Sequence, residues 1–256
     1  MHQVARRHLL TSLAGLPLAA ILADPQLVRA AAAEVDEVSL TTQGGREVSA
    51  AIAMPEVTPA PTVLLIHQWW GLVDQIKAVA AEFAKEGYVG LAVDLYDGQS
   101  ADDPEGARAL MNAVKTDDAN DTLRSWLAWL RDHEQGSGKL ATIGWCFGGG
   151  WSLDASIATP VDATVIYYGR VTRSAEELAT LKGPVQGHFA TRDGWITKEM
   201  VDGFEAQMAK AGKPLTSYWY EADHAFGDPT SPRYDQANAQ LAWERTLEFM
   251  AANLGA

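Results

Sequence analysis

Cysteine occurs once in the 256 residues, as Cys146, and it stands in a crowd of glycines: Gly144-Trp145-Cys146-Phe147-Gly148-Gly149-Gly150. An isolated cysteine is most often a small buried hydrophobe. This one follows the apolar run Ala141-Thr142-Ile143, and a strand that breaks into a helix through such a turn holds the residue between the glycines above the sheet in a strained backbone conformation. Gly144 and Gly148 suit that crowding because they lack a Cβ. The N–H groups of a helix starting near Phe147 then point at the sulfur, which favours a thiolate and later an oxyanion. The chemistry on offer is nucleophilic attack by a thiol.

A thiol nucleophile needs a base, and the base needs an orienting acid. Thr191-Arg192-Asp193-Gly194 and Glu221-Ala222-Asp223-His224-Ala225-Phe226 each follow a strand-like run, Val185–Ala190 and Leu215–Tyr220. Their order, nucleophile then acid then histidine, is that of α/β-hydrolases and differs from the orders in chymotrypsin and subtilisin. His224 can take the thiol proton and return it to a leaving group, while Asp193 fixes its tautomer. His67 competes as base, but it directly follows an early strand in a loop better suited to shaping an oxyanion hole. His133 and His188 fall in a helix and a strand.

The remaining chain supplies the elements that must hold these residues. Val35–Thr41 and Arg46–Met54 alternate around Gln43-Gly44-Gly45, the pattern of an antiparallel edge hairpin. Val63-Leu64-Leu65-Ile66 reads as a buried parallel strand that delivers His67-Gln68-Trp69-Trp70-Gly71 into a loop. Helical spacing from Val73 to Glu86, a stop at Gly87 and the strand Tyr88–Val93 complete a βαβ unit that ends in Asp94-Leu95-Tyr96-Asp97-Gly98. Helices are expected across Pro104–Val114 and Asp117–His133, with Trp126 in the core and Gly136-Ser137-Gly138 closing the second. Beyond the elbow, a strand at Ala163–Tyr168 and helices near Ala175–Leu181, Thr197–Ala211 and Tyr234–Asn253 continue the alternation. This predicts one α/β domain: a mostly parallel sheet with helices on both faces and its site at the strand C-termini.

Composition bounds the partners. At 47% hydrophobic and 21% charged, the sequence is that of a globular protein. Arg6-Arg7-His8-Leu9-Leu10, an apolar stretch to Leu22 and small residues through Ala33 read as a twin-arginine signal peptide over residues 1–33, followed by a domain over 34–256. Pro17 and Asp24-Pro25 break the apolar stretch, so no stable membrane anchor is expected. The address is periplasmic or secreted, with the twin-arginine export machinery as partner. Removing residues 1–33 takes away Arg6, Arg7, Arg29 and Asp24 and changes the formal net charge from −13 to −15. That acidity argues against nucleic acid as a partner.

With these pieces in place, the chain resembles the dienelactone hydrolase family, thiol-dependent members of the α/β-hydrolase fold. The matching segments are His67-Gln68-Trp69-Trp70-Gly71, Asp94-Leu95-Tyr96, the Cys146 elbow, the Asp193 loop and Asp223-His224-Ala225-Phe226. The resemblance implies Cys146 as nucleophile, His224 as base, Asp193 as orienting acid and the backbone N–H groups of Phe147 and Trp69 as oxyanion hole, with no metal or organic cofactor. Gln68, Trp70, Tyr96 and Trp145 are the expected substrate-binding residues, and Trp195 lies next to the site-forming Asp193 segment. Gln68 stands where the family commonly has glutamate, and Gly98 and Asp228 stand where its chlorocatechol-pathway members have arginines for a substrate carboxylate.

The implied function is hydrolysis of small esters or lactones, with neutral, compact substrates preferred unless Arg170 or Arg192 turns into the cleft. A second reading is a catalytically weak protein that binds an aromatic ligand in the same cleft.

Overall fold

In the computed structural model, which describes residues 16–255, strand and helix alternate along nearly the whole chain. Two helices, α1 (Leu18–Ala23) and α2 (Pro25–Ala32), precede the hairpin β1 (Asp36–Thr41) and β2 (Glu47–Ala53). Then come β3 (Ala60–Ile66), α3 (Asp74–Lys85), β4 (Val89–Val93), α4 (Pro104–Ala113), α5 (Thr116–Arg131), β5 (Gly136–Trp145) and α6 (Phe147–Ala158). The chain ends with β6 (Ala163–Tyr167), α7 (Ala175–Leu178), β7 (Val185–Ala190), α8 (Lys198–Ala211), β8 (Leu215–Tyr220) and α9 (Gln236–Leu254).

The strands form one sheet in the order β1-β2-β4-β3-β5-β6-β7-β8. The pairings β1–β2 and β2–β4 are antiparallel and the remainder parallel, so the hairpin forms one edge, as its alternation predicts. Strand β3 is buried at every position, as a central parallel strand covered on both faces must be. Its side chains divide by parity. Val63 and Leu65 join Ala92 and Ile143 under α3 and α9, while Leu64 and Ile66 join Leu91 and Val93 under Leu123, Trp126, Leu127 and Leu130 of α5. A third cluster, with Leu153, Ile166, Phe189 and Phe204, seats α6 and α8 on the later strands.

Two local expectations shift. Gly136-Ser137-Gly138 does not close a helix but begins β5: Gly136 pairs with Ala60, and the register slips between Ala60 and Thr62. Gly138, at φ +79°, absorbs that irregularity. His133 lies just beyond the end of α5 at Arg131, where Asp132 caps the helix.

Within the segment expected to be a leader, Arg6 and Arg7 lie outside the described residues. Helices α1 and α2 pack on the body through Leu18, Ile21, Leu22 and Ala31, which join the cluster under α3 and α9. They add no strand to the sheet. A chain beginning at Glu34 is therefore expected to fold cooperatively with a Tm within about 4 °C of the longer chain, since the ordering cost of some fifteen residues offsets most of their burial. Thermal melting monitored by circular dichroism checks this, and failure to fold would make α1 and α2 part of the obligatory core.

Candidate active site

The elbow is built by close backbone approach. A Cβ on Gly144 would collide with the Gly148 carbonyl, and one on Gly148 would collide with the carbonyls of Ile66 and His67. Only glycine lets α6 start against the end of β3. Cys146 is left at the N-cap of α6 with φ +55° and ψ −114°, the strained conformation that its position between the glycines predicts. Its own N–H donates to the Tyr167 carbonyl at 3.0 Å and its carbonyl accepts from Gly149 at 3.1 Å, so the strain is held by the neighbouring strand β6 and by the helix.

The structure brings Cys146, His224 and Asp193 together. His224 Nε2 lies 3.2 Å from Cys146 Sγ, and its Nδ1 lies 2.6 Å from Asp193 Oδ2. Asp193 is aimed by its own turn, since its other oxygen accepts the N–H groups of Trp195 at 2.8 Å and Ile196 at 3.0 Å. The loops after β7 and β8 are tied by the Arg192 N–H to the Ala222 carbonyl at 3.0 Å. Both the acid and the base therefore sit on backbone-bonded loops at strand C-termini.

The charges reinforce one another. Burial alone would raise the Asp193 carboxyl, but hydrogen bonds from His224 and from the Ile196 and Trp195 N–H groups outweigh it and hold the carboxyl below its ordinary range. Burial alone would likewise lower His224; hydrogen bonds to Asp193 and Cys146, with their negative charges, push it up to about 9. An imidazolium gripped between a carboxylate and a sulfur is a proton store for a leaving group and a counter-charge for a thiolate.

The other candidate residues divide. The N–H of Phe147, at the start of α6, and that of Trp69, in the loop after β3, are not engaged by other groups among the described residues. His67 is not a competing base: it is fully buried, burial lowers its pKa, its Nδ1 bonds the Gln68 carbonyl at 2.6 Å and its Nε2 accepts the Leu95 N–H at 3.1 Å. Its ring braces the loop. Trp145 packs on Tyr167 and, with Gln68, borders a groove that Leu18 and Leu22 of α1 cover. Trp69 and Trp70 pack on each other, with ring centroids 4.8 Å apart. Trp195 is 61% exposed and stands edge-on to His224 at 5.0 Å.

Tyr96 is buried between His67 and Phe147, and its hydroxyl has no partner among the described residues. Tyr168, which the sequence reading passes over, is a second such phenol. It is fully buried, stands edge-on to His224 at 5.1 Å and has φ +37°. The only sequence signal for it is its place at the end of β6, where a strained residue beside a glycine is easily read as strand.

The cations also sort themselves. Arg170 is exposed, and Asp154 of α6 is paired by Arg173 Nε at 2.6 Å. Arg192 reaches the mouth beside His224 and Trp195, but Asp223 at 3.3 Å and Glu221 at 3.7 Å pair it. Arg233, not among the expected residues, lies over the Trp195 ring at 5.0 Å in the same mouth.

The raised His224 pKa has a signed consequence. Its folded value of about 9 lies above the ordinary histidine value, so the stability of the charged ring is fully present below about pH 6.5 and is lost as pH rises through about 9. In an NMR titration the His224 midpoint is expected near 9, and it should fall in Cys146→Ala and in Asp193→Asn, each of which removes one of the groups that raise it. A midpoint unmoved by both substitutions would contradict this electrostatic coupling.

Comparison with known proteins agrees with the fold. Residues 48–254 match the profile of the dienelactone hydrolase family. Carboxymethylenebutenolidase 1 of Cupriavidus pinatubonensis is 25% identical over 226 residues, covering 84% of this chain and 96% of that protein. A carboxymethylenebutenolidase of a Pseudomonas species is 28% identical over 227 residues, covering 83% and 93%. Among solved structures, a dienelactone hydrolase-like promiscuous phosphotriesterase from metagenomic libraries superposes with a TM-score of 0.77 at 19% identity over 86% of this chain and 99% of that one, a likeness of fold. With the profile match spanning most of its length and the α/β-hydrolase sheet beneath its site, the chain belongs to the dienelactone hydrolase family, hydrolases of ester and lactone bonds.

Proposed function

We propose that this protein is an exported cysteine hydrolase of small esters or lactones, acting through Cys146, His224 and Asp193. The observation that carries the reading is the single imidazole whose two nitrogens lie 3.2 Å from the Cys146 sulfur and 2.6 Å from the Asp193 carboxylate. A cleft that only bound an aromatic ligand would have no use for that alignment.

The thiolate attacks the substrate carbonyl carbon, and the carbonyl electron pair moves to oxygen. The Phe147 and Trp69 N–H groups receive that oxyanion, each contributing about 3 kcal/mol in the transition state. Collapse expels an alkoxide, which takes the proton from the His224 imidazolium and leaves a thioester on Cys146. Neutral His224 then removes a proton from water, the hydroxide attacks the thioester, and the carboxylic acid departs as the thiolate reforms. With a lactone the alkoxide stays tethered, so the product is one hydroxy acid.

Neutral substrates fit the charge pattern. Gly98 has no side chain to offer, Asp228 is a buried carboxylate, and Arg192 is already paired. The export reading rests on the Arg6-Arg7 start and the apolar stretch behind it. Removal of residues 1–33 would uncover the groove beside Gln68 and Trp145 that Leu18 and Leu22 cover.

Cys146→Ala is expected to abolish p-nitrophenyl ester hydrolysis while changing the Tm by less than about 3 °C, because the half-buried sulfur adds little to the core. Retained turnover in that variant would remove the nucleophile. On the unmodified protein, the neutral methyl ester of a dienelactone should exceed its free acid in kcat/KM by about tenfold or more, roughly the 1.4 kcal/mol of an unscreened like charge. A clear advantage for the acid would make Arg233 and Arg192 the anion site. A reporter fused behind residues 1–33 should be exported only when both Arg6 and Arg7 are present; export by the paired Arg→Lys variant would point to the general secretory route.

A further inference from the structure

Asp228 is 2% exposed, and none of its partners among the described residues is a cation. Its Oδ1 accepts from Gln75 Nε2 at 2.7 Å and from the Thr230 N–H and hydroxyl at 2.9 and 2.7 Å, and its Oδ2 accepts from Gln68 Nε2 at 3.0 Å. Four donors converge on it, the hydrogen-bond complement of an ionised carboxylate. Burying such a group is costly unless every lone pair is used. Its loss would leave the buried Gln68 and Gln75 amides without this acceptor.

Its partners come from three segments. Asp228 lies four residues after His224 on the loop that follows β8, a loop closed by the Asp228 N–H to the Ala225 carbonyl at 3.1 Å. Gln75 is in the first turn of α3, and Gln68 precedes the candidate oxyanion donor Trp69. The main chain of Gln68 is separately held, since its carbonyl accepts from His67 Nδ1 at 2.6 Å and from the Gly71 N–H at 3.3 Å. The peptide that carries the Trp69 N–H is thus fixed on its main-chain side by His67 and on its side-chain side by Asp228.

We propose that Asp228 is a positioning residue for the oxyanion hole: through Gln68 it ties the loop carrying the Trp69 N–H to the loop carrying His224, and so sets the donor in register with Cys146. This rests on the hydrolytic reading above and adds a residue to it. Gln68 and Asp228, two of the three positions at which the resemblance implies other residues, then form one contact, in which the carboxylate at 228 accepts from the amide at 68.

The test is a reversal of polarity. Asp228→Leu, Gln68→Glu and the double variant Gln68→Glu with Asp228→Asn are compared with the unmodified protein for kcat and KM on one neutral p-nitrophenyl ester, with melting curves alongside. Asp228→Leu, which offers no acceptor, is expected to lower kcat about 10- to 100-fold, the scale of a misplaced catalytic group, with KM changed less than about threefold. Gln68→Glu, which sets two carboxylates face to face, should lose at least as much. Adding Asp228→Asn to Gln68→Glu restores an amide-to-carboxylate bond in the opposite direction and should recover at least tenfold in kcat over Gln68→Glu alone. An Asp228→Leu protein with unchanged kcat overturns the proposal. So does a double variant no faster than Gln68→Glu, or a kcat loss that only follows the loss of folded protein. Should the unmodified protein show no Cys146-dependent turnover, the hydrolytic reading itself fails, and the proposal with it; the Cys146→Ala control separates that result from the others.

Discussion

The contact on which the site depends is the seating of Gly148 against the carbonyls of Ile66 and His67. Where a side chain would stand, backbone meets backbone, and the first turn of α6 rests on the end of β3. This close approach goes with the positive φ of Cys146, and it sets the start of α6, with the Phe147 N–H, against the end of β3, from which the loop carrying Trp69 runs. The parallel pairing of β5 with β3, register Ile66 to Gly144, makes the approach geometrically available. A sheet in which these strands were not neighbours would put nucleophile and second donor apart.

Electrostatics then distinguishes the parts. Asp193, oriented by two N–H groups of its own turn, holds His224, and His224 faces sulfur. A second carboxylate, Asp228, lies on the same loop as His224 but is consumed by amides and a hydroxyl instead of an imidazole. Two acids within one small region thereby take different tasks because of what surrounds them, one polarising a base and the other fixing a loop. Two guanidinium groups stand at the mouth, where Arg192 is paired and Arg233 lies over Trp195.

Much of this is legible in the residues. The alternation of β1 and β2, the continuous apolarity of β3 and the glycines of the elbow each have a single local cause, so the hairpin edge, the central strand and the turn can be read from a few letters. Asp193 and His224 were legible because position after successive strands limits what a loop residue can reach. What could not be read depends on contacts between distant segments. Gln68 and Asp228 stand 160 positions apart, and nothing in either neighbourhood says that they touch. The same holds for Tyr168, whose burial against His224 follows from the packing of β6 beside β5, and for Arg233, which reaches the mouth only through Trp195. The start of β5 at Gly136 was hidden because Gly-Ser-Gly is as good a loop as a distorted strand.

The central claim is that hydrolysis passes through a thioester on Cys146, and the most direct measurement is the mass of the protein quenched with acid during the first turnovers of a p-nitrophenyl ester. The expected result is one acyl group per chain, located by peptide mapping on the segment containing Cys146 and formed at the rate of the p-nitrophenol burst. Turnover without any such adduct, or an acyl group carried by another residue, would contradict it.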